Sequence, residues 1–154
     1  MRIKPVGSLI LLLTLAIADV AQAQARALPG SWRRISLRDS AGRRVQPPAA
    51  PAFVIYSADG YFSQSSIPAG RPKIEKLWKD MTKDELLSQI GNADAWSGSY
   101  TLDGTKLTRK TVSSLSSYDE GTQLVQVVHF RGDTLILTRP NPADRSEARF
   151  VRVH

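Results

Sequence analysis

The chain has 154 residues, a formal net charge of +7, two histidines and no cysteine. That length gives one domain with room for a real core. Without cysteine there is no thiol catalysis, cysteine zinc site, iron–sulfur cluster or disulfide, and His129 and His154 are too few for a histidine-rich metal centre. No metal and no other cofactor is expected.

Residues 1–23 carry the pattern of a cleaved secretory signal peptide. Arg2 and Lys4 form its positive start and Leu9 to Ala18 its apolar run. Ala21-Gln22-Ala23 supplies a small-x-small cleavage signal, and Ala23-Gln24-Ala25 supplies a second one. The run is bounded by Lys4-Pro5 and broken by Asp19, which makes it shorter than the roughly 20 apolar residues of a membrane span. The expectation is a periplasmic or secreted domain over residues 24–154. Its basic residues are spread along the chain, as on a solubilising surface; contact with anionic membrane is the weaker alternative.

From Ser31 onward the chain alternates polar and apolar residues in short segments separated by turn signals, the pattern of an all-β barrel or sandwich. Ser31 to Leu37 is the first expected strand, closed by the turn Arg38-Asp39-Ser40-Ala41-Gly42. Val45-Gln46-Pro47-Pro48 and Pro51 make a stiff connection poor in ladder donors. Phe53 to Ser57 and Tyr61 to Ser66 pair across Ala58-Asp59-Gly60, with Gly60 suited to a positive φ.

A loop over Pro68 to Pro72 then leads into the one helical stretch, Lys73 to Ile90. Thr82-Lys83-Asp84-Glu85 has the form of a capping box, Leu86, Leu87 and Ile90 share a face, and Gly91 can end the helix. Ile74, Leu77, Trp78 and Met81 recur at helical spacing before it, so two short helices kinked near Thr82 are predicted. Strands resume over Ala95 to Leu102 and Lys106 to Ser114, joined by Asp103-Gly104. The last three are Thr122 to Arg131, Thr134 to Arg139 after Gly132-Asp133, and Glu147 to Val153 after Pro140-Asn141-Pro142. With strands at both ends, an eight-stranded antiparallel meander can close on itself.

Four ordered blocks give the chain a family likeness. They are Leu28-Pro29-Gly30-Ser31-Trp32-Arg33, Ile55-Tyr56-Ser57-Ala58-Asp59-Gly60-Tyr61-Phe62, Trp96-Ser97-Gly98-Ser99-Tyr100-Thr101-Leu102-Asp103-Gly104 and Phe130-Arg131-Gly132-Asp133-Thr134-Leu135-Ile136-Leu137. In these blocks, and in a helical insert after the third strand, the chain resembles the bacterial lipocalin-like domain family, a calycin-type group of small β-barrels. The resemblance implies an all-β, eight-stranded antiparallel lipocalin-like barrel. It gives Gly30 and Trp32 a structural role, with Trp32 packed at the closed end and an arginine of the last strand, Arg149 or Arg152, lying over it. The family has a histidine in the strand after the Asp-Gly turn. Here that strand reads Leu107-Thr108-Arg109-Lys110-Thr111-Val112, so a function resting on that histidine would be lost or altered.

Strand alternation nominates ligand-binding residues. If Trp32 points inward, Arg34 and Ser36 follow while Ile35 and Leu37 face out, unless a bulge reverses the phase. An arginine inside an apolar barrel needs an anionic partner; otherwise Arg34 faces solvent. Trp96, Tyr100 and Leu102 share a face, with Gly98 leaving room between them, and Tyr56, Tyr100 and Arg109 are further candidates for the lining. Gln126 is a polar group among Leu124, Val128 and Phe130 and is the expected ligand contact, with His129 on the opposite face.

No nucleophile elbow, phosphate loop or dinucleotide fingerprint occurs. Aromatic residues are few and fall at core-like positions, which argues against nucleic-acid binding. The sequence therefore predicts an exported barrel that takes up a small apolar or anionic amphipathic ligand. The alternatives are a barrel isomerase or cyclase using Tyr100, Arg109 or His129 as acid or base, and a noncatalytic envelope interaction protein.

Overall fold

A computed structural model describes residues 27–45, 52–67, 70–91 and 93–154. The expected signal peptide and the proline-rich connection over 46–51 lie outside the described residues. The strands are β1 (Gly30–Arg38), β2 (Arg44–Val45), β3 (Ala52–Tyr56), β4 (Tyr61–Ser66), β5 (Asp94–Asp103), β6 (Lys106–Ser114), β7 (Gln123–Arg131), β8 (Thr134–Thr138) and β9 (Glu147–Val153). Every neighbouring pair is antiparallel, in the order β1-β3-β4-β5-β6-β7-β8-β9, and β9 returns to pair with β1. The result is a closed eight-stranded antiparallel barrel, as the alternation predicted. The two-residue β2, which sequence reading did not separate from a loop, is a strip on the far end of β1.

Closure leaves none of the eight barrel strands at a sheet edge and sorts the side chains by period two. Val54, Phe62, Leu107, Val128, Leu135, Leu137 and Phe150 point inward with Trp32 and Tyr56 and form one buried cluster. Trp96, Tyr100, Leu102, Phe130 and Ala148 pack against it. Hairpin turns at Asp59-Gly60, Asp103-Gly104 and Gly132-Asp133 gather at one end. Gly60 (φ 89°) takes the left-handed conformation expected of it.

That end is closed by the segment before β1. Trp32, 1% exposed, donates its indole N–H to the Leu28 carbonyl at 2.9 Å, and Leu28 is fully buried. The Arg152 guanidinium lies 4.3 Å from the centre of the Trp32 ring and donates to the carbonyls of Pro29 (3.0 Å) and Ala27. Gly30 (φ 139°) is needed at this crossing because L side chains rarely adopt that backbone, and a Cβ there would also displace the Arg152 guanidinium. Of the two arginines the resemblance proposed, Arg152 takes the place over the ring. Arg149 faces the outer wall, where it is paired with Glu147 at 2.7 Å, because it stands one residue out of phase with the inward-facing Phe150.

Two bulges reset the alternation. In the β1–β9 ladder Arg34 pairs with Phe150 and Ser36 with Arg149, so Ile35 is the extra residue. Arg34 follows Trp32 inward, but beyond the bulge Leu37 stands opposite the inward Ala148 and Ser36 turns outward. The expected inward Ser36 and outward Leu37 are thus exchanged, by a bulge that leaves Ile35 exposed. The second bulge lies in the β5–β6 ladder at Val112, opposite Ser97 and Gly98. There Gly98 is needed for a close backbone approach: a Cβ would collide with the Lys110 carbonyl oxygen.

The insert keeps only part of its expected helicity. The capping box forms, with Glu85 N–H donating to Thr82 Oγ1 and Thr82 N–H donating to Glu85 Oε2, and α1 runs over Lys83–Ile90. The predicted first helix is reduced to a 3-10 turn at Trp78–Asp80, with Leu77 and Trp78 exposed. Ile74 and Met81 are only partly buried, and a short segment with no fully buried stripe cannot offset the cost of helix nucleation. Gly91 ends α1 in right-handed conformation (φ −55°) rather than in the left-handed cap that glycine usually supplies. The insert joins β4 to β5 at the end of the barrel opposite Trp32.

Candidate functional site

The inner wall changes character halfway up. Below lie the aromatic and aliphatic residues of the closed end. Above them Arg34, Gln64, Ser66, Arg109 and Gln126 point inward from β1, β4, β6 and β7. Alternation accounts for each: Gln64 and Ser66 follow Phe62, Arg109 follows Leu107, and Gln126 precedes Val128 at a spacing of two.

Arg109 is the centre of this group. It is 2% exposed, and its guanidinium bridges two amide oxygens, donating from Nη1 to Gln64 Oε1 (2.9 Å) and from Nη2 to Gln126 Oε1 (2.8 Å). Its carbon lies 4.4 Å from the Trp96 ring centre and 5.2 Å from that of Phe62, so two π faces flank the charge. Among the described residues no acid forms a salt bridge with it. Three buried polar atoms in the cluster lack a hydrogen-bond partner: Arg109 Nε, Trp96 Nε1 and the Tyr56 hydroxyl.

Burial pulls the Arg109 guanidinium below its ordinary value, an effect that Tyr56 opposes and Arg139 reinforces. Arginine nevertheless stays charged in proteins. Burial likewise pushes the Tyr56 hydroxyl up, against the attraction of Arg109, so it stays protonated. Tyr56 feels the guanidinium charge but makes no well-aligned hydrogen bond with it. Arg34, half-buried, donates to Ser66 Oγ at 3.0 Å, and burial lowers it too. At the rim Asp94 is exposed, but partial loss of hydration and then Asp119 raise its carboxyl, against the pull of Arg34 and Arg109.

Two clefts adjoin the cluster. Gln126 borders one of about 180 Å³, where Leu37, Leu137 and Ala148 stand with Arg38, Thr138, Arg139, Ser146 and Glu147. Gln64 and Trp96 border another of about 300 Å³, whose walls are largely serine (Ser63, Ser65, Ser97, Ser113).

Of the residues singled out from sequence, Tyr56, Trp96, Arg109 and Gln126 meet around one buried charge, with Arg34 above them. Tyr100 does not join them with its polar end. Its ring packs on Tyr56 (centres 5.1 Å apart), but its hydroxyl is committed to the Ser57 carbonyl at 2.7 Å. His129 is exposed on the outer wall beside Ile136. The acid–base set of Tyr100, Arg109 and His129 therefore shares no cavity. Gln64, Phe62, Ser66, Asp94 and Arg139 were not singled out from sequence, although the alternation from Phe62 would have found the first and third. Among the described residues no cluster of acids and histidines suits a metal ion, and no helix is long and apolar enough to cross a membrane.

A closed antiparallel barrel with one end plugged by a tryptophan and a short helical insert at the other is a lipocalin-like barrel. One solved structure supports this fold. A lipocalin-like protein from Bacteroides uniformis superposes with a TM-score of 0.51 at 17% identity, over 82% of this chain and 99% of the other. A protein from Bacteroides eggerthii (TM-score 0.48, 13% identity, 82% and 99% covered) and one from Burkholderia xenovorans (0.46, 15%, 85% and 87%) are also similar. At these identities the likeness concerns the fold. No family model and no curated protein matches the sequence.

Proposed function

We propose that this protein is an exported binding barrel that takes a small, largely apolar molecule into its upper half. The observation that carries this reading is the buried Arg109 cluster in the polar upper half of the interior, where three polar atoms lack partners. Buried polar atoms left unpaired cost about 1–3 kcal/mol each. Three around one side chain is the pattern of a site that its occupant completes. Apolar surface at Leu37, Leu137 and Ala148 would add binding energy, at about 25 cal/mol per Å² buried, and the polar groups would set orientation. The signal-peptide pattern over residues 1–23 supports export to the periplasm or beyond.

Native mass spectrometry of protein purified from an exporting host tests this. The reading predicts a species heavier than the polypeptide by one small organic molecule, released on denaturation. Bare polypeptide that also takes up no apolar probe would overturn it.

A further inference from the structure

We infer that the outer wall carries a second site, a cleft where Arg38, Arg44 and Arg149 hold a phosphate monoester as its dianion. This is independent of ligand uptake by the barrel interior. The cleft measures about 320 Å³, is lined by Ile35, Ser36, Arg38, Arg44, Glu147 and Arg149, and includes no residue of the Arg109 cluster. Strand register builds it. Beyond the bulge at Ile35, Ser36 and Arg38 face outward, opposite Arg149 and Glu147 of β9. The turn after Arg38 brings β2 back so that Arg44 stands directly opposite Arg38. One row across three strands therefore reads Arg44, Arg38, Glu147. Like charges directly opposite on neighbouring strands are destabilising, and β2 pairs with β1 alone, outside the closed barrel. An anion between the two guanidinium groups turns that repulsion into attraction.

The charge count selects the ligand. Among the described residues Glu147 is the one acid in the lining; Arg149 holds it through Nε at 2.7 Å and Nη2 at 3.2 Å, and Arg38 Nε lies 3.7 Å from it. Three arginines against one carboxylate leave two positive charges. The surroundings do not cancel them. Asp39 is paired with Arg43 at 2.9 Å, Asp144 lies 3.7 Å from Arg139, and Arg145, beside Gly42, is a further cation. Arg38 and Glu147 also border the cleft beside Gln126, where the added charge is Arg139. The sequence that follows β2, Gln46 to Pro51, contains no acid. The donors are within reach of solvent: the Arg38 and Arg149 side chains are 50% and 43% exposed, and Arg44 is exposed. Arg44 forms no salt bridge among the described residues. Guanidinium groups bind phosphate oxygens through paired, charge-assisted bonds. A monoester carries two charges above its second pKa of about 6, whereas a carboxylate or a diester carries one. Ser36 adds a hydroxyl donor, and Ile35, left exposed by the bulge, offers apolar contact to the ester carbon.

The test is a ¹H–¹⁵N titration of the purified protein, at about pH 8, with methyl phosphate, which is doubly charged there, and with dimethyl phosphate, which carries one charge. Methyl phosphate is expected to move the amide signals of Ser36, Arg38, Arg44 and Arg149 and to bind about tenfold more tightly than dimethyl phosphate. Arg44→Gln, an exposed change outside the closed barrel, should weaken methyl phosphate by about 5- to 10-fold while signals away from the cleft stay in place. Arg33→Gln, on β1 but outside the cleft, should bind as wild type does. Co-sedimentation with phosphatidylcholine vesicles containing phosphatidic acid separates the sources of the phosphate. Wild type pelleting where Arg44→Gln does not assigns a lipid headgroup, and wild type left in the supernatant assigns a soluble ester. Equal affinity for the two phosphates, shifts confined to other parts of the wall, or undiminished binding by Arg44→Gln would overturn the site.

Discussion

Replacing Arg109 by methionine separates a group kept for binding from one kept for the fold. In the unliganded protein the arginine bears the cost of burying a charge, several kcal/mol, and of the unpartnered Nε, about 1–3 kcal/mol. Against this stand its bonds to Gln64 and Gln126, worth about 1.5–3 kcal/mol each, and its contacts with the Trp96 and Phe62 rings, about 0.5–2 kcal/mol each. The two sides are of similar size. Methionine fills much of the same volume without charge, and of the residues it strands Gln64 is only partly buried and Gln126 borders a cleft. Arg109→Met should therefore shift unfolding stability by less than about 2 kcal/mol in either direction. Urea denaturation followed by tryptophan fluorescence measures this. A loss beyond about 4 kcal/mol, the size expected when one member of a buried ion pair is removed, would show that a counter-charge holds Arg109 and would refute the reasoning.

Other outcomes follow from the closed end, the second bulge and the rim. Arg152→Ala should lower stability by about 2–4 kcal/mol, since it strips the cation–π contact and the bonds to Ala27 and Pro29; Arg149→Ala, on the outer wall, should leave the urea midpoint almost unchanged, and equal effects would mean the two roles are misassigned. Gly98→Ala should cost about 3 kcal/mol or more, because the new methyl meets the Lys110 backbone rather than a movable side chain; a wild-type midpoint would show that the bulge is not as tight as described. Asp94 binds its proton more tightly folded than unfolded. Its contribution to stability should therefore fall as pH rises from the ordinary carboxylate value through its raised one, and stay lower above it. Asp94→Asn should flatten that slope and stabilise the protein at neutral pH; urea midpoints across a pH series check this, and a variant less stable than wild type at neutral pH would contradict the sign.

Period-two alternation made the strands legible because each one is half buried, and closure follows from strands at both ends of an uninterrupted meander. Bulges were not legible. One extra residue at Ile35 exchanges Ser36 and Leu37, and nothing in the local sequence Arg33-Arg34-Ile35-Ser36 marks it. The lost first helix of the insert fails for a related reason: Ile74, Leu77, Trp78 and Met81 have helical spacing, but spacing alone does not supply a surface to bury it against. In the site, Arg109 and Gln126 could be named because polar residues break an apolar stripe. Gln64 and Ser66 were harder to see in the serine-rich Ser63-Gln64-Ser65-Ser66, where no apolar neighbour contrasts with them. Which of these would touch Arg109 depended on the register of β4, β6 and β7 around the barrel, a tertiary property.

Native mass spectrometry of the protein purified from an exporting host reads the binding barrel itself. A species heavier than the polypeptide by one small organic molecule, lost on denaturation, is the expected result. Bare polypeptide that takes up no apolar probe would contradict it.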